Sequence, residues 1–377
     1  MNYCKECLQP DTRPNTQFKE GICPACDYFK KFKEVNWDQR KEILFNLVEK
    51  YRNPSAQYDC IIGVSGGKDS LRQAIWIRDY LKLRPLLVSI QYPPHQLTNI
   101  GADNLSNLIN KGFDVFQICP APIIWKRLMR AGFQIFGNWA KSTELALFAG
   151  VPKLAIDLKI PLILWGENPG LQRGDLKTLG KTGYDGNNLR NMNTLSGGDF
   201  SWILKSGLSE KEILPYRYPT KKEMIKNNIQ IVYLGWFLGD WSLKNNGMIS
   251  ILNGLKVRDD SPINTSDLFQ TSSLDEDWVI VNQLIKYLKF GFGKTTDYVN
   301  EMIRLGEISR DEAIEIVEKY DGKCSAKYID EFCNYIEISN DEFWDTVEKF
   351  SNEDLFTIDK INHDISPKFK VGIGMLL

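Results

Sequence analysis

The chain has 377 residues, a length that predicts two or three structural units rather than a single core. Its 47 Lys and Arg residues are balanced by 48 Asp and Glu residues, so it has no basic excess to attract a polyanion, and nucleic acid is a disfavoured partner. The N-terminus has no basic and apolar leader, and no apolar stretch reaches the roughly 18 residues of a membrane helix. A cytoplasmic protein without membrane association is therefore expected.

Half of the eight cysteines occur in two Cys-x-x-Cys pairs near the N-terminus. The pairs are Cys4 with Cys7 and Cys23 with Cys26. Two such knuckles supply four thiolates, which complete the tetrahedron that Zn²⁺ prefers. Residues 1–35 are therefore predicted to form a zinc ribbon around a structural Zn²⁺. Cysteines without a metal and a redox pair are the alternatives, and a redox pair lacks the preceding strand that it would need.

The pattern after the ribbon predicts a linker and then an α/β domain. Residues 36–57 carry apolar side chains three and four positions apart, which indicates an amphipathic linker helix. Residues 58–260 alternate short apolar runs with helical patterns, which is typical of a parallel, doubly wound sheet. The predicted strands are 59–64, 85–90, 113–118, 161–165 and 229–234, and the predicted helices are 71–81, 99–111, 123–131 and 141–158. Ligands of such sheets bind outside the carboxyl ends of the strands.

Two regions depart from this alternation. Residues 166–200 are rich in glycine and charged side chains and have little periodicity, so they are predicted to form a long substrate loop inside the α/β domain. Residues 275–377 have helical periodicity and are predicted to form a helical C-terminal region. The sequence does not distinguish whether these helices dock a partner, form a dimer or simply pack.

The hexapeptide SGGKDS at residues 65–70 stands between the first predicted strand and the helix that follows. A glycine pair there lets the backbone approach a ligand and aim several N–H groups at one point, and a helix N-terminus favours an anion. The two serines add hydroxyl donors, Lys68 adds a cation, and Asp69 is a candidate ligand of Mg²⁺. The element is therefore a candidate phosphate cradle, although it is neither a Walker A loop nor a dinucleotide turn.

In this context SGGKDS resembles the PP-loop of the N-type ATP pyrophosphatases, which have a Rossmann-like fold. The resemblance implies that ATP is cleaved to AMP and pyrophosphate after an oxygen of the substrate is adenylylated, so that a nucleophile can displace AMP. By matching positions, ATP would be bound by Ser65, Gly66, Gly67, Lys68, Asp69 and Ser70. The adenine would contact the backbone near Val88, Ser89 and Ile90. Lys68 and Asp69 would also act in catalysis, with Asp69 approaching Mg²⁺.

The remaining cysteines and histidines help to indicate which nucleophile displaces AMP from the adenylylated substrate. Some tRNA thiolases of this superfamily also join a zinc ribbon to a PP-loop, but they need further cysteines around the ATP site. The four other cysteines of this chain, Cys60, Cys119, Cys324 and Cys333, form no Cys-x-x-Cys pair. A glutaminase centre would need a cysteine in a glycine elbow together with a histidine, and no such elbow occurs. A separate subunit is therefore expected to deliver ammonia, and a thiolase stays open as the alternative.

An ordered set of motifs extends the resemblance beyond the superfamily. It comprises the two cysteine pairs, SGGKDS, WGEN at 165–168, GYDG at 183–186, YLGW at 233–236, KFGFGK at 289–294 and RLGEISR at 304–310. Over residues 3–322 this set resembles the N-acetyl sugar amidotransferases of the WbpG and PseA type, with a lean towards WbpG. Lys294 is a departure, because Arg is expected there. Lysine keeps the charge but loses bidentate geometry.

The resemblance implies a reaction divided between two proteins. The acetamido oxygen of a nucleotide-linked N-acetyl sugar would attack the α-phosphorus of ATP, giving an O-adenylyl imidate and pyrophosphate. Ammonia from a HisH-like glutaminase, with or without a HisF-like protein, would then displace AMP. The product would be an acetamidino sugar for lipopolysaccharide O-antigen or a related surface glycan. Positioning and charge neutralisation would suffice without a protein nucleophile.

Further candidate site residues lie in segments that border the predicted sheet. Glu167 follows the strand 161–165 and is a candidate catalytic residue, as a metal ligand, a base or a guide for ammonium, with a helix cap as the alternative. The candidate substrate-binding residues are Lys177, Lys181, Asp185, Arg190, Trp236, Asp240 and Lys294. Solvated charges and core packing are the alternatives for these side chains.

Overall fold

The computed structural model describes residues 1–180, 182–359 and 362–376. Its central sheet has five strands in the order β3-β2-β1-β4-β5, and every neighbouring pair is parallel. The strands are β1 (Cys60–Gly63), β2 (Pro85–Ile90), β3 (Val115–Ile118), β4 (Leu162–Trp165) and β5 (Gln230–Tyr233). The strand order reverses between β1 and β4, which opens a crevice at the carboxyl edge of the sheet. The predicted parallel sheet is thus confirmed.

Helices cover both faces of the sheet. Consecutive side chains of β1 point to opposite faces, so Ile62 packs with Leu71 while Ile61 packs with Val151 and Leu154. The helices of this unit are α3 (Lys68–Asp79), α4 (Asn99–Asn110), α5 (Pro122–Phe136), α6 (Ala140–Asp157), α9 (Lys221–Lys226) and α10 (Leu243–Leu252). The doubly wound arrangement is therefore confirmed as well.

The N-terminal part is more helical than expected. The second cysteine pair begins a helix, α1 (Pro24–Phe32), whose first residue is a proline with Cys23 as its N-cap. Helix α2 (Trp37–Glu49) follows as predicted, with the Asn36 side chain accepting a hydrogen bond from the Gln39 N–H. Its apolar face packs onto the same core as the sheet. The domain boundaries drawn from the sequence stay predictions.

The segment 166–200 is more ordered than its composition indicates. It contains α7 (Pro169–Arg173) and two short 3₁₀ turns, and α8 (Ser201–Leu204) follows it. Asp185 forms an isolated antiparallel bridge with Val232 of β5, and the Tyr233 N–H donates to the Tyr184 carbonyl at 2.9 Å. The loop is therefore attached to the edge of the sheet.

The C-terminal region is helical only in part. Its helices are α11 (Pro262–Thr265), α12 (Val279–Phe290), α13 (Lys294–Leu305), α14 (Arg310–Tyr320), α15 (Ala326–Ile336) and α16 (Asn340–Phe350). After Phe350 the chain instead forms two antiparallel pairs, β6 (Phe356–Ile358) with β7 (Ile365–Pro367) and β8 (Phe369–Lys370) with β9 (Gly374–Met375). The helical prediction is therefore wrong for this end. Phe356 and Phe369 pack edge to face there, with ring centroids 5.5 Å apart, so tertiary contacts support the short pairs.

None of the helices in the described ranges is both long enough and apolar enough to cross a membrane.

A buried carboxyl group precedes α12. Glu276 is 2% exposed, and its two oxygens accept hydrogen bonds from the Val279 N–H at 2.9 and 3.0 Å. Burial raises the pKa of Glu276 to about 8, and the neighbouring charges of Asp275 and Asp277 add to the shift. The folded protein therefore keeps a proton on Glu276 at pH values where the unfolded chain has released it.

Stability is expected to fall between pH 6 and pH 8 because the folded chain still binds the Glu276 proton while the unfolded chain has already released it. Its pKa is raised on folding, so its contribution declines as pH rises from the unfolded value towards about 8. The Glu276→Gln variant should lose about 2 kcal/mol less over this interval than the parent chain. Urea unfolding at both pH values measures the difference. Glu312→Gln, at an exposed helix cap, is the control, and a parent curve parallel to that of Glu276→Gln would contradict the prediction.

Candidate functional site

The hexapeptide forms a tight turn after β1. Gly66 has φ +83°, and a Cβ there would lie 3.0 Å from the Leu105 nitrogen of α4, so only glycine fits. Gly67 is the N-cap of α3, so the helix begins at Lys68 inside the hexapeptide. The Ser65 N–H donates to the Ser70 Oγ at 3.1 Å, which closes the turn. The loop thus places a helix N-terminus at the carboxyl edge of the sheet, next to the crevice.

Lys68 and Asp69 form an ion pair at the start of α3. The Lys68 Nζ lies 2.7 Å from Asp69 Oδ2, with the lysine side chain 5% exposed and the aspartate side chain 36% exposed. The other carboxylate oxygen of Asp69 accepts a hydrogen bond from Asn246 Nδ2 at 2.5 Å. Asp69 is therefore held on both sides while part of its carboxylate stays accessible. A partly exposed carboxylate beside a candidate phosphate cradle fits Mg²⁺, which binds proteins through one or two carboxylates plus substrate phosphates.

Arg72 is a buried cation one turn further along α3. Its guanidinium donates to Asp240 Oδ1 at 2.7 Å and to the Asp240 carbonyl at 3.0 Å, and it also donates to Asn246. The same guanidinium lies 4.9 Å from the ring centroid of Trp241. Asp240, a candidate substrate residue, is thus paired with Arg72, although its own side chain is exposed. Neither Arg72 nor Asn246 was predicted, because neither belongs to a recognisable motif.

The C-terminal helix α13 lies close enough to the hexapeptide for its charged side chains to interact with Lys68 and Asp69. The Lys294 Nζ lies 3.0 Å from Asp267 Oδ2, and burial lowers the pKa of Lys294, with the charge of Lys68 contributing. Glu301 lies further along the same helix and is 4% exposed. Burial raises the pKa of Glu301 to about 7, and the charges of Lys68 and Asp69 act on it. The candidate site is therefore built from the α/β unit and the C-terminal region together.

Glu167 lies at the carboxyl end of β4, on the far side of the crevice from β2. It is half-buried and close enough to Arg173 and Glu144 for their charges to interact. Asn168 caps α7 instead, because its Oδ1 accepts the Leu171 N–H at 3.2 Å. The helix-cap alternative for Glu167 is therefore wrong, and the carboxylate stands at the ligand edge of the sheet.

The segment expected near adenine lies in the middle of the sheet. Val88, Ser89 and Ile90 are all buried at the end of β2, next to β1. The Val88 carbonyl already accepts the Val64 N–H at 2.9 Å. A backbone contact to adenine at this strand end is therefore expected from the residues after Val88.

Two of the candidate loop residues are bound to the protein's own main chain. Asp185 Oδ1 accepts the Asn187 N–H at 2.9 Å. Arg190 donates through Nε to the Gly197 carbonyl at 2.8 Å and through Nη1 to the Pro219 carbonyl at 3.3 Å. These hydrogen bonds stabilise the conformation of the loop 166–200. The pairing of Asp240 with Arg72 likewise stabilises the segment that precedes α10.

The other candidates differ in their surroundings. Lys177 is exposed and donates to Asn15 Oδ1 at 3.2 Å. The ring of Trp236 is covered by Arg40, whose guanidinium carbon lies 3.5 Å from the ring centroid. Lys181 lies outside the described residues. Lys294 is thus the candidate substrate residue for which an electrostatic connection to the hexapeptide is visible.

The two cysteine pairs meet in a buried cluster. The four Sγ atoms of Cys4, Cys7, Cys23 and Cys26 all lie within 4.8 Å of one another. Backbone N–H groups point at the sulfurs, with Cys23 N 3.2 Å and Glu6 N 3.5 Å from Cys4 Sγ. Such donors stabilise thiolates, and four thiolates at this spacing can bind a tetrahedral metal ion. The group therefore fits a structural metal.

The cysteine cluster is tied to the candidate site through α13. The Leu8 N–H, just after the first knuckle, donates to Asn300 Oδ1 at 2.7 Å. Ile303, one turn further, packs against the cysteines. The same helix carries Lys294 and Glu301, so a single element spans the space between the cluster and the hexapeptide.

The other cysteines do not gather around the hexapeptide. Cys60 is buried at the amino end of β1, and burial raises the pKa of its thiol well above the ordinary value. Cys119 follows β3, which is two strand positions and therefore roughly 10 Å from β1. Cys324 and Cys333 belong to the C-terminal region. The described residues thus offer no cysteine pair for carrying sulfur at this site.

Comparison with solved structures gives the U34-tRNA thiolase NcsA from Methanococcus maripaludis with its 4Fe-4S cluster, at 15% identity and a TM-score of 0.31. The alignment covers 81% of this chain and 86% of that chain, and at this score it supports no conclusion about fold or reaction. No curated protein matches the chain. Residues 266–369 match the family model of the C-terminal domain of WbpG-like lipopolysaccharide biosynthesis proteins. The C-terminal part of the chain is therefore similar to WbpG-like proteins, in agreement with the resemblance inferred from the motifs.

Proposed function

We propose that the chain is the ATP-using synthetase subunit of an N-acetyl sugar amidotransferase. The observation that carries the proposal is the proximity of SGGKDS to α13, which lies within the residues that match the WbpG-like C-terminal domain. The candidate ATP-binding hexapeptide and charged residues of the matched C-terminal domain therefore lie close together. The reaction would convert the acetamido group of a nucleotide-linked sugar into an acetamidino group for lipopolysaccharide O-antigen or a related surface glycan.

ATP would bind with its phosphates against the hexapeptide. The N–H groups at the start of α3 and the serine hydroxyls would donate to phosphate oxygens, and the buried ammonium of Lys68 would add positive charge. Bound Mg²⁺ would neutralise charge on the phosphates as pyrophosphate leaves. Asp69 would hold that ion through its accessible carboxylate edge, while Asn246 fixes the orientation of the side chain.

The sugar would enter between β4 and α13, so that its acetamido oxygen faces the α-phosphorus. Lys294 would offer its charge to a phosphate of the nucleotide or to the developing negative charge. Glu167, at the carboxyl end of β4, would hold ammonium or accept a proton when ammonia attacks the imidate carbon and AMP leaves with the former acetamido oxygen. A HisH-like glutaminase, with or without a HisF-like protein, would supply the ammonia. The cysteine cluster would hold Zn²⁺ as a structural ion.

The alternative, a tRNA-modifying thiolase of the PP-loop type, would need sulfur-carrying cysteines near ATP. The placement of Cys60 and Cys119 away from the hexapeptide argues against it, and the balanced net charge argues against tRNA as a substrate. A cytoplasmic location is part of the proposal, because the substrates would be ATP and a nucleotide sugar.

The proposal is tested by measuring pyrophosphate release with different acceptors. The purified protein, ATP, Mg²⁺ and ammonium are combined with a UDP-linked N,N′-diacetylated sugar or with tRNA and a sulfur donor. Release that depends on the sugar and gives a sugar product with NH in place of O is the expected result. Release that depends only on tRNA and the sulfur donor would establish the thiolase and refute the amidotransferase.

A further inference from the structure

Helix α10 is hydrogen-bonded to the SGGKDS hexapeptide. Two of its buried side chains contact the hexapeptide, where Asn246 donates to Asp69 Oδ1 at 2.5 Å and the Ser250 Oγ donates to the Lys68 carbonyl at 2.6 Å. Asn246 also accepts a hydrogen bond from Arg72. A shift of α10 would therefore move the hydrogen-bond partners of the Asp69 carboxylate and of the Lys68 main chain.

The position of α10 depends in turn on α13. The N–H of Leu243, the first residue of α10, donates to Glu301 Oε1 at 2.5 Å. Glu301 Oε2 is buried without a hydrogen-bond partner among the described residues. Burying a carboxyl oxygen without a partner costs free energy. Stability alone therefore does not account for a glutamate at this position.

We infer that Glu301 is a positioning residue of the ATP site, acting through the Leu243 N–H and α10 on Asn246 and hence on the Asp69 carboxylate. The inference rests on the proposed use of ATP by this loop. It assigns a role in ATP binding to the region that matches the WbpG-like domain, because the hydrogen bond of its helix α13 to α10 is passed on to the loop.

Because Glu301 can change its charge near neutral pH, its proposed role should make ATP binding depend on pH. Burial raises its pKa to about 7, opposed by the Leu243 N–H from α10, by Arg304 on its own helix and by Lys68 from α3, while Asp69 adds to the rise. An ionised carboxylate is the stronger acceptor at a helix N-terminus, so α10 is held best above this pKa. The affinity for ATP with Mg²⁺ is therefore expected to fall as the pH is lowered from 8 to 6.

Two variants change the hydrogen bond between the Leu243 N–H and Glu301, one at the acceptor and one at the donor. Glu301→Gln keeps the size and an acceptor oxygen but removes the charge. Leu243→Pro removes the N–H together with the leucine side chain but should keep the helix, because proline fits the first helical position and the extended Ser242, with ψ 161°, suits a residue before proline. Leu243→Ala, which loses the side chain but keeps the N–H, is the control for Leu243→Pro. Glu312→Gln, at an exposed helix cap far along the chain, is the control for Glu301→Gln.

Calorimetric titration with ATP and Mg²⁺ at pH 6 and pH 8 tests the inference without any sugar. At pH 8 both Glu301→Gln and Leu243→Pro should bind about tenfold more weakly than the parent, which is the loss expected for one charge-assisted hydrogen bond. The double variant should be no weaker than either single one. The parent and Glu312→Gln should both bind ATP more weakly at pH 6 than at pH 8. In Glu301→Gln this difference in affinity should be smaller.

The outcomes separate this inference from the proposed reaction. If Glu301→Gln binds ATP with the affinity and pH dependence of the parent, the inference is overturned while the amidotransferase proposal stands. If Glu301→Gln does not fold, equal binding by Leu243→Pro and Leu243→Ala overturns it instead. If binding follows the expected pattern but no acetamidino sugar forms, the positioning role holds and the proposed reaction fails. A parent chain that binds no ATP would refute both.

Discussion

Pyrophosphate formation by the Asp69→Asn variant is expected to be at least about a hundredfold slower than by the parent chain, because the variant lacks the charge proposed to hold Mg²⁺. The substitution keeps an oxygen that can accept the hydrogen bond from Asn246. The loop should therefore keep its shape while its electrostatics change. The steady-state rate with ATP, ammonium and the nucleotide sugar measures the effect.

Asp79→Asn is the matched control for this prediction. Asp79 lies at the last turn of the same helix, is exposed and pairs with Arg78. Its variant should retain the parent rate. If Asp69→Asn were as active as Asp79→Asn at saturating Mg²⁺, Asp69 would have no part in the reaction.

Removal of one cysteine of the cluster is expected to release its metal ion and to loosen the N-terminal part. In Cys23→Ser the bound metal should fall from one equivalent to a small fraction, because a tetrahedral thiolate site loses a ligand. Binding of structural Zn²⁺ is worth about 10–16 kcal/mol in isolated small domains, so a large loss of stability should follow. Elemental analysis and thermal unfolding measure the two effects.

The effect should extend beyond the cluster. Leu8 and Ile303 connect the cysteines to α13, so Cys23→Ser should also weaken ATP binding. Cys119→Ser is the control, because Cys119 is exposed and follows the edge strand β3. It should keep the metal, the stability and the rate. A Cys23→Ser variant with a full equivalent of metal would show that these cysteines are not the ligands.

Much of the fold was predictable because its signals are local. The cysteine spacing, the strand and helix alternation and the hexapeptide each lie within a short stretch, and the structure has the predicted sheet and a cysteine group able to bind metal. The strand end that carries Glu167 was predictable for the same reason. A parallel sheet brings the ends of successive strands to one edge, so motifs at those ends are expected to meet.

The supporting residues of the site were not predictable. Asn246 contacts Asp69 across 177 positions, and Glu301 contacts Leu243 across 58. Neither pair has a local pattern, because the contacts depend on how α10 and α13 pack onto α3. The signal that finds them is burial of a polar side chain, which only the folded chain reveals.

The shape of segment 166–200 and that of the end of the chain both depend on contacts that local sequence patterns do not show. The glycine-rich segment 166–200 lacks periodicity, yet Asp185 and Arg190 bond to main-chain groups and give it a fixed shape. The end of the chain after Phe350 forms short strand pairs that are supported by aromatic contacts such as that between Phe356 and Phe369. In both regions tertiary contacts rather than local propensity determine the structure.

The fate of the acetamido oxygen tests the central claim most directly. A nucleotide sugar whose acetamido carbonyl carries a heavy oxygen isotope is incubated with the protein, ATP, Mg²⁺ and ammonium, and the products are analysed by mass spectrometry. If that oxygen attacks the α-phosphorus, the label must appear in AMP and be absent from both pyrophosphate and the sugar product. A labelled sugar product, or AMP without the label, would contradict the proposed activation step.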